Sequence, residues 1–242
     1  MKKKYILLTA FIGVMLSACS DFLDRKPLTE PNNEEYLCSR AQVENYINGL
    51  YMALPAPSQY GMGVRGEEKN SDNILAEKYD LRLNGEYNAF SGSSEWQKGY
   101  QNLRNVNYFF YYYCVPENEE TEDVLSLKGE AYFLRAYWHF YLLTRFGDIP
   151  LMDRLWDENA TVAGLQIPPA SRSDVAKFIL EDLKTASEGM LQSRSKYSGL
   201  RISKEAAMIL AMRVALYEGP GKSIIKGRNF LKLITQTTSL RK

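Results

Sequence analysis

The chain has 242 residues, 45% of them hydrophobic and 24% charged, the composition of one ordinary globular domain and its core, which excludes disorder as the main state. Lys plus Arg number 30 against 29 Asp plus Glu, a net charge of +1, and so balanced a chain lacks the basic footprint of a nucleic-acid binder. Lys2, Lys3 and Lys4 stand in a segment read below as cleaved, and losing these three cations takes the charge from +1 to −2.

Residues 1–18 read as an export signal: the lysines form a positive start, Tyr5 to Leu16 an apolar run, and Leu16-Ser17-Ala18 places small residues before Cys19. Twelve apolar residues are too few for a permanent span, which needs roughly 20. Leu-Ser-Ala-Cys matches the lipobox of bacterial lipoproteins, so Cys19 is the expected lipidation site and the first mature residue. An anchor of this kind needs two or more acyl chains to be stable. Residues 19–38, with Pro27 and Pro31, form the expected tether. Cys38 and Cys114 remain. Their spacing leaves open a disulfide, which an oxidising compartment permits, and a pair of buried thiols.

Helical signals then follow one another. Ser39-Arg-Ala-Gln42 is a capping box, continued by Val43, Tyr46, Ile47, Leu50 and Tyr51 on one face, with Pro55 and Pro57 as stop signals. Residues 58–93, rich in Gly, Ser, Asn and Asp, form the longest loop, where function is sought. Ser94-Glu-Trp-Gln97 repeats the capping box, and Trp96, Tyr100, Leu103, Asn107 and Phe110 step along a second helix. Its end, Tyr108 to Tyr113, is all aromatic. Such a run offers a stacking platform, but on a helix it points in every direction, so core and partner contact are the favoured reading.

Thr121, Glu122 and Asp123 open a third helix with the stripe Leu127, Ala131, Leu134, Trp138 and Leu142. Phe133, Tyr137 and Phe140 cover a second face, so the helix is read as buried on two sides, and Gly147 and Pro150 end it. After an irregular stretch to Ala170, Ser171 opens a fourth helix (Val175, Phe178, Ile179, Leu183, Ala186). Ser203 caps a fifth, ending near Gly219, with Ala207, Ala211 and Ala215 as a small-residue ridge. No strand signal rivals these, and the class predicted is all-α: a tetratricopeptide-like helical-repeat scaffold with long irregular loops.

Several stretches carry a resemblance: Cys19-Ser-Asp-Phe-Leu-Asp, Trp96-Gln-Lys-Gly-Tyr100 with Asn102 and Asn107, and above all the run from Gly129 through Glu-Ala-Tyr-Phe-Leu-Arg-Ala-Tyr-Trp-His-Phe-Tyr to Leu151. Ser171-Arg-Ser-Asp-Val, Ile179-Leu-Glu-Asp-Leu183, Ile202-Ser-Lys-Glu-Ala-Ala and Arg213-Val-Ala-Leu-Tyr217 continue it in order. Over residues 19 to about 219 the chain resembles the SusD/RagB family of nutrient-binding outer-membrane lipoproteins of Bacteroidetes. The resemblance implies a lipid-anchored, non-catalytic glycan binder at the cell surface, seated on a TonB-dependent SusC-like transporter, with no cofactor. It also implies that residues 39–219 are the amino-terminal part of a domain about twice as long, with residues 220–242 an atypical tail. The alternatives are a helical protein-interaction module on the transporter without glycan binding, and a non-functional fragment; a glycoside hydrolase stands third.

Chemistry offers few competitors. His139, the only histidine, cannot build a multi-histidine metal site and is read as a packed core or interface residue. Gly221-Lys222-Ser223 lacks the earlier glycine and the strand of a phosphate loop. Arg145 and Asp148, flanking a helix end, are read as structural. Glu67, Glu68, Glu77 and Glu86 show no spacing that singles out a hydrolytic pair. Sugars are recognised by flat aromatic faces with amides and carboxylates beside them. In the long loop Tyr79, Tyr87 and Phe90, with Asp80, Asn84 and Asn88, are the candidate glycan contacts, with ordinary loop packing as the competing reading.

Overall fold

The computed structural model of the chain describes residues 36–55, 84–86, 93–156, 166–193 and 201–218. Among these the regular elements are five α-helices: α1 (Arg40–Tyr51), α2 (Ser94–Tyr112), α3 (Glu122–Phe146), α4 (Arg172–Thr185) and α5 (Lys204–Glu218). A short 3₁₀ turn, Glu117–Glu119, precedes α3, and a π-helical turn, Ala186–Met190, extends α4. Pairing of extended backbone among the described residues is confined to two isolated bridges, Leu37 with Tyr113 and Ile149 with Ala170. The predicted all-α class holds.

Each helix starts where a side chain can satisfy its free amides. Ser39 Oγ accepts from the Gln42 amide while Gln42 Oε1 accepts from the Ser39 amide, a complete capping box. Thr121 caps α3 and Ser171 caps α4, and Ser203 Oγ accepts from the Ala206 amide at the start of α5. One register differs from expectation. Ser93, not Ser94, has the extended backbone of a cap and accepts from the Trp96 amide, so the box expected from Ser94 and Gln97 is not the one that forms. Likewise α1 ends at Tyr51, ahead of Pro55, with Met52 closing the last turn onto the carbonyls of Gly49 and Leu50.

The 25-residue α3 is the axis of the fold, packing against α1, α2, α4 and the π turn, while α4 in turn carries α5. Its expected stripe, Leu127, Ala131, Leu134, Trp138 and Leu142, is buried throughout. So is Phe140, whereas Phe133 and Tyr137 are half-buried. This gives the helix the two covered sides that its apolar pattern required. Gly99 lets α2 and α3 touch: a Cβ there would stand 2.5 Å from Leu142 Cδ2, closer than any methyl is tolerated. At the far end Gly147, with φ 80°, donates its amide to the Leu143 carbonyl and turns the chain off α3.

Cys38 and Cys114 form a disulfide, with Cα atoms 4.5 Å apart and positions 76 apart in sequence. This resolves the open pair in favour of the bridge. Leu37 is fully buried, and the Cys114 amide donates to its carbonyl. The end of the expected tether is thus built into the helical body and clamped to the end of α2.

Candidate functional site

Of the six candidate glycan contacts, Asn84 lies among the described residues, on an exposed turn with Gly85. Tyr79, Asp80, Tyr87, Asn88 and Phe90, like Cys19, lie outside them. The described residues that flank this stretch of sequence are the end of α1, at Tyr51, and Ser93, the cap of α2.

Tyr51 belongs to a buried polar cluster. Glu130, on α3 and wholly inaccessible, receives Arg201 Nε and Nη2 at 2.8 and 2.9 Å and the Tyr51 hydroxyl at 2.8 Å. The Tyr51 oxygen in turn accepts from the Ile202 amide at 2.9 Å, and Arg201 Nη1 donates to Asn48 Oδ1. Burial pushes the Glu130 carboxyl above its ordinary value, and the Arg201 guanidinium opposes that shift. The cluster joins the end of α1, the middle of α3 and the lead into α5, segments up to 153 residues apart.

A second cluster sits one to two turns along α3. Arg135 grips Asp182 of α4 with Nε and Nη2, both at 2.7 Å, and donates from Nη1 to the Asp153 carbonyl at 3.0 Å. Its guanidinium carbon lies 4.5 Å from the Phe110 ring centroid and 5.0 Å from that of Phe178, so the charge is sandwiched by aromatic faces. Asn107 Nδ2 donates to the carbonyls of Met152 and Arg154. His139 completes the set: its Nδ1–H donates to the Arg135 carbonyl at 2.9 Å, leaving Nε2 to accept the Met152 amide at 3.3 Å. These three polar side chains bind residues 152–154 to the helical body, which is why Asn107, Arg135 and His139 are buried polar residues in an apolar stripe.

His139 is the core histidine it was read to be. Burial, foremost, and the Arg135 charge push its imidazole down to about 3, although the Arg135 carbonyl bond works the other way. The unfolded imidazole takes a proton below about 6.5 while the folded one stays neutral to about 3. The histidine's contribution to stability is therefore complete above pH 6.5 and is lost as pH falls, by about 1.4 kcal/mol per unit. Urea midpoints at pH 7, 6 and 5 should show this fall, with a shallower slope in a His139→Gln variant; parallel slopes would contradict the assignment.

The chemistry of both clusters is structural. Each carboxylate is buried and held by two nitrogens of one arginine, so each pair ties two segments of the chain together inside the fold. Arg145 and Asp148 are structural as expected. The Arg145 guanidinium donates to the Tyr141 carbonyl and stacks 3.6 Å from its ring, and Asp148 accepts the Arg172 amide at the start of α4. Sequence reading did not single out Glu130, Arg135, Asp182 or Arg201. The signal present was a charge at an otherwise apolar position, as in Gly129-Glu130-Ala131.

A family model described as "Starch-binding associating with outer membrane" matches residues 21–216, and the chain belongs to this SusD-like family. A curated relative, SusD-like protein P2 of Formosa agariphila, is 24% identical over 235 residues, covering 90% of this chain and 44% of its own length. A SusD-like protein from Bacteroides fragilis superposes with a TM-score of 0.65 at 27% identity, over 80% of this chain and 38% of its own. A laminarin-binding SusD-like protein superposes at 0.61 with 20% identity, over 76% of this chain and 41% of its own. The chain thus spans under half the length of the relatives it matches, and the helical-repeat scaffold is the part they share.

Proposed function

We propose that the protein is a non-catalytic, cell-surface glycan-binding lipoprotein that captures oligosaccharide or polysaccharide for import through a TonB-dependent, SusC-like transporter. Lipid on Cys19 anchors it in the outer membrane facing outward. The observation that carries this reading is the match to the starch-binding family over residues 21–216 on a fold shared with a laminarin-binding neighbour. Two features agree with it. The export signal delivers the chain to an oxidising compartment, where a disulfide such as Cys38–Cys114 persists, and both clusters tie residues between the helices, Asp153 and Arg201, to α3.

The long loop is the proposed glycan contact, through Tyr79, Tyr87 and Phe90 with Asp80, Asn84 and Asn88. Titration calorimetry of the full chain with laminarin and with maltoheptaose tests it. A Tyr79→Ala, Tyr87→Ala variant should bind about tenfold more weakly, the loss of two ring contacts, with an unchanged melting temperature. Equal affinity would remove these residues from the site.

One observation favours a protein-contact role beside this one. Helix α5 turns Ile209, Met212 and Leu216 outward, 61%, 37% and 76% exposed, at the spacing of one helical face, a stripe suited to a polypeptide such as the transporter. Under the strict form of that reading no glycan binds.

A further inference from the structure

The aromatic end of α2 resolves into two populations of rings. Phe109 is fully buried and Phe110 lies under Arg135. Tyr111 points the other way and is 68% exposed. Its ring stands edge-on to Tyr112, with centroids 4.8 Å apart at 78°; Tyr112 lies 4.3 Å from Tyr108, and Tyr108 stacks at 6.0 Å and 15° on Tyr46. A ladder of rings therefore runs from Tyr46, packed on the buried Phe109, out to Tyr111 at the surface.

The end of α2 beside this ladder is anchored by polar contacts and by the disulfide. The Tyr46 hydroxyl donates to the Asn105 carbonyl at 2.8 Å, and the Tyr113 hydroxyl to Glu120 at 2.7 Å. Lys128 covers the Tyr113 ring at 4.5 Å, and Cys114 is cross-linked to Cys38. Tyr46, Tyr51, Tyr100 and Tyr113 each direct the hydroxyl to an internal acceptor. Tyr111 is instead largely exposed. The face is phenolic, unlike the aliphatic stripe of α5, so it is apolar over the rings and hydrogen-bonding at their rims.

We propose that Tyr111, with Tyr112 and Tyr108 behind it, is a second glycan-stacking platform, separate from the long loop and directed at neutral pyranose units. A pyranose presents an apolar face of C–H groups edged by hydroxyls, the complement of such a surface. A platform apart from the loop would let one polysaccharide chain engage two places at once, which raises the apparent affinity for long over short ligands.

This inference rests on the glycan-binding reading, and the experiment separates the two. The full chain and its Tyr111→Ala, Tyr111→Trp and Tyr79→Ala, Tyr87→Ala variants are titrated with laminarin and with maltoheptaose. Tyr111→Ala should weaken polysaccharide binding roughly three- to tenfold, and Tyr111→Trp should preserve it; the exposure of Tyr111 leaves the melting temperature in place as a check on folding. Unchanged affinity in Tyr111→Ala, with a loss in the loop variant, overturns the platform and leaves the glycan reading standing. Absence of binding by the unaltered chain overturns both.

Discussion

Replacing Arg135 by Met should lower the unfolding free energy by about 3 to 5 kcal/mol, because it strands the Asp182 carboxylate in the core without its cation. Asp182 is only 4% exposed, and both of its oxygens are engaged by Arg135 at 2.7 Å. Burial already pushes its carboxyl upward and the guanidinium opposes that, so losing Arg135 leaves burial unopposed. The same change frees the Asp153 carbonyl and with it one of the ties on residues 152–154. Replacing both partners, Arg135→Met with Asp182→Leu, should recover most of the loss, since two apolar groups of similar volume need no partner. Urea denaturation of the two single variants and the double one forms the measurement. A loss below about 1 kcal/mol in Arg135→Met would show that the pair does not carry the α3 to α4 contact.

Reduction of the Cys38–Cys114 bond should lower stability by about 4 to 5 kcal/mol, the chain-entropy value for a loop of this size. The bond links positions 76 apart, enclosing the whole of α1 and α2, so without it the unfolded chain recovers a large set of open conformations. The clamped segment is held besides by the burial of Leu37, the edge contact of Tyr36 on Tyr46 and the bond from the Cys114 amide. A Cys38→Ser, Cys114→Ser variant and the reduced native chain should shift together in urea midpoint. If either keeps the oxidised midpoint, the bond is not what holds residues 36–38 on α2.

The helices were legible because their signals are local. Ser39 with Gln42, Thr121 with two acids, and Ser171 with Asp174 each state a start within four residues. The one slip, Ser94 for Ser93, falls where two serines adjoin and backbone conformation, not residue type, decides which caps. Glu130, Arg135, Asp182 and Arg201 were not legible for the opposite reason. A charge on a helix reads as solvated unless its partner is known, and these partners lie 47 and 71 residues away. The disulfide was silent in the same way, since a spacing of 76 contains no geometry. For the candidate glycan contacts, composition pointed to the long loop, and Asn84 stands on an exposed turn. The aromatic run of α2 shows the limit most sharply: six successive residues look alike in sequence, and only the helix phase separates the buried Phe109 from the exposed Tyr111.

The central claim is that this helical scaffold holds glycan, and a thermal melt of the full chain with and without a panel of soluble polysaccharides and oligosaccharides tests it most directly. Ligand that binds only the folded state adds RT ln(1 + [L]/Kd), about 2.7 kcal/mol at a hundredfold excess over Kd. One cooperative transition is expected, moved upward by one class of glycan and left in place by the others. A cooperative transition that no glycan moves would contradict it and leave the protein-contact role of α5 in its stead.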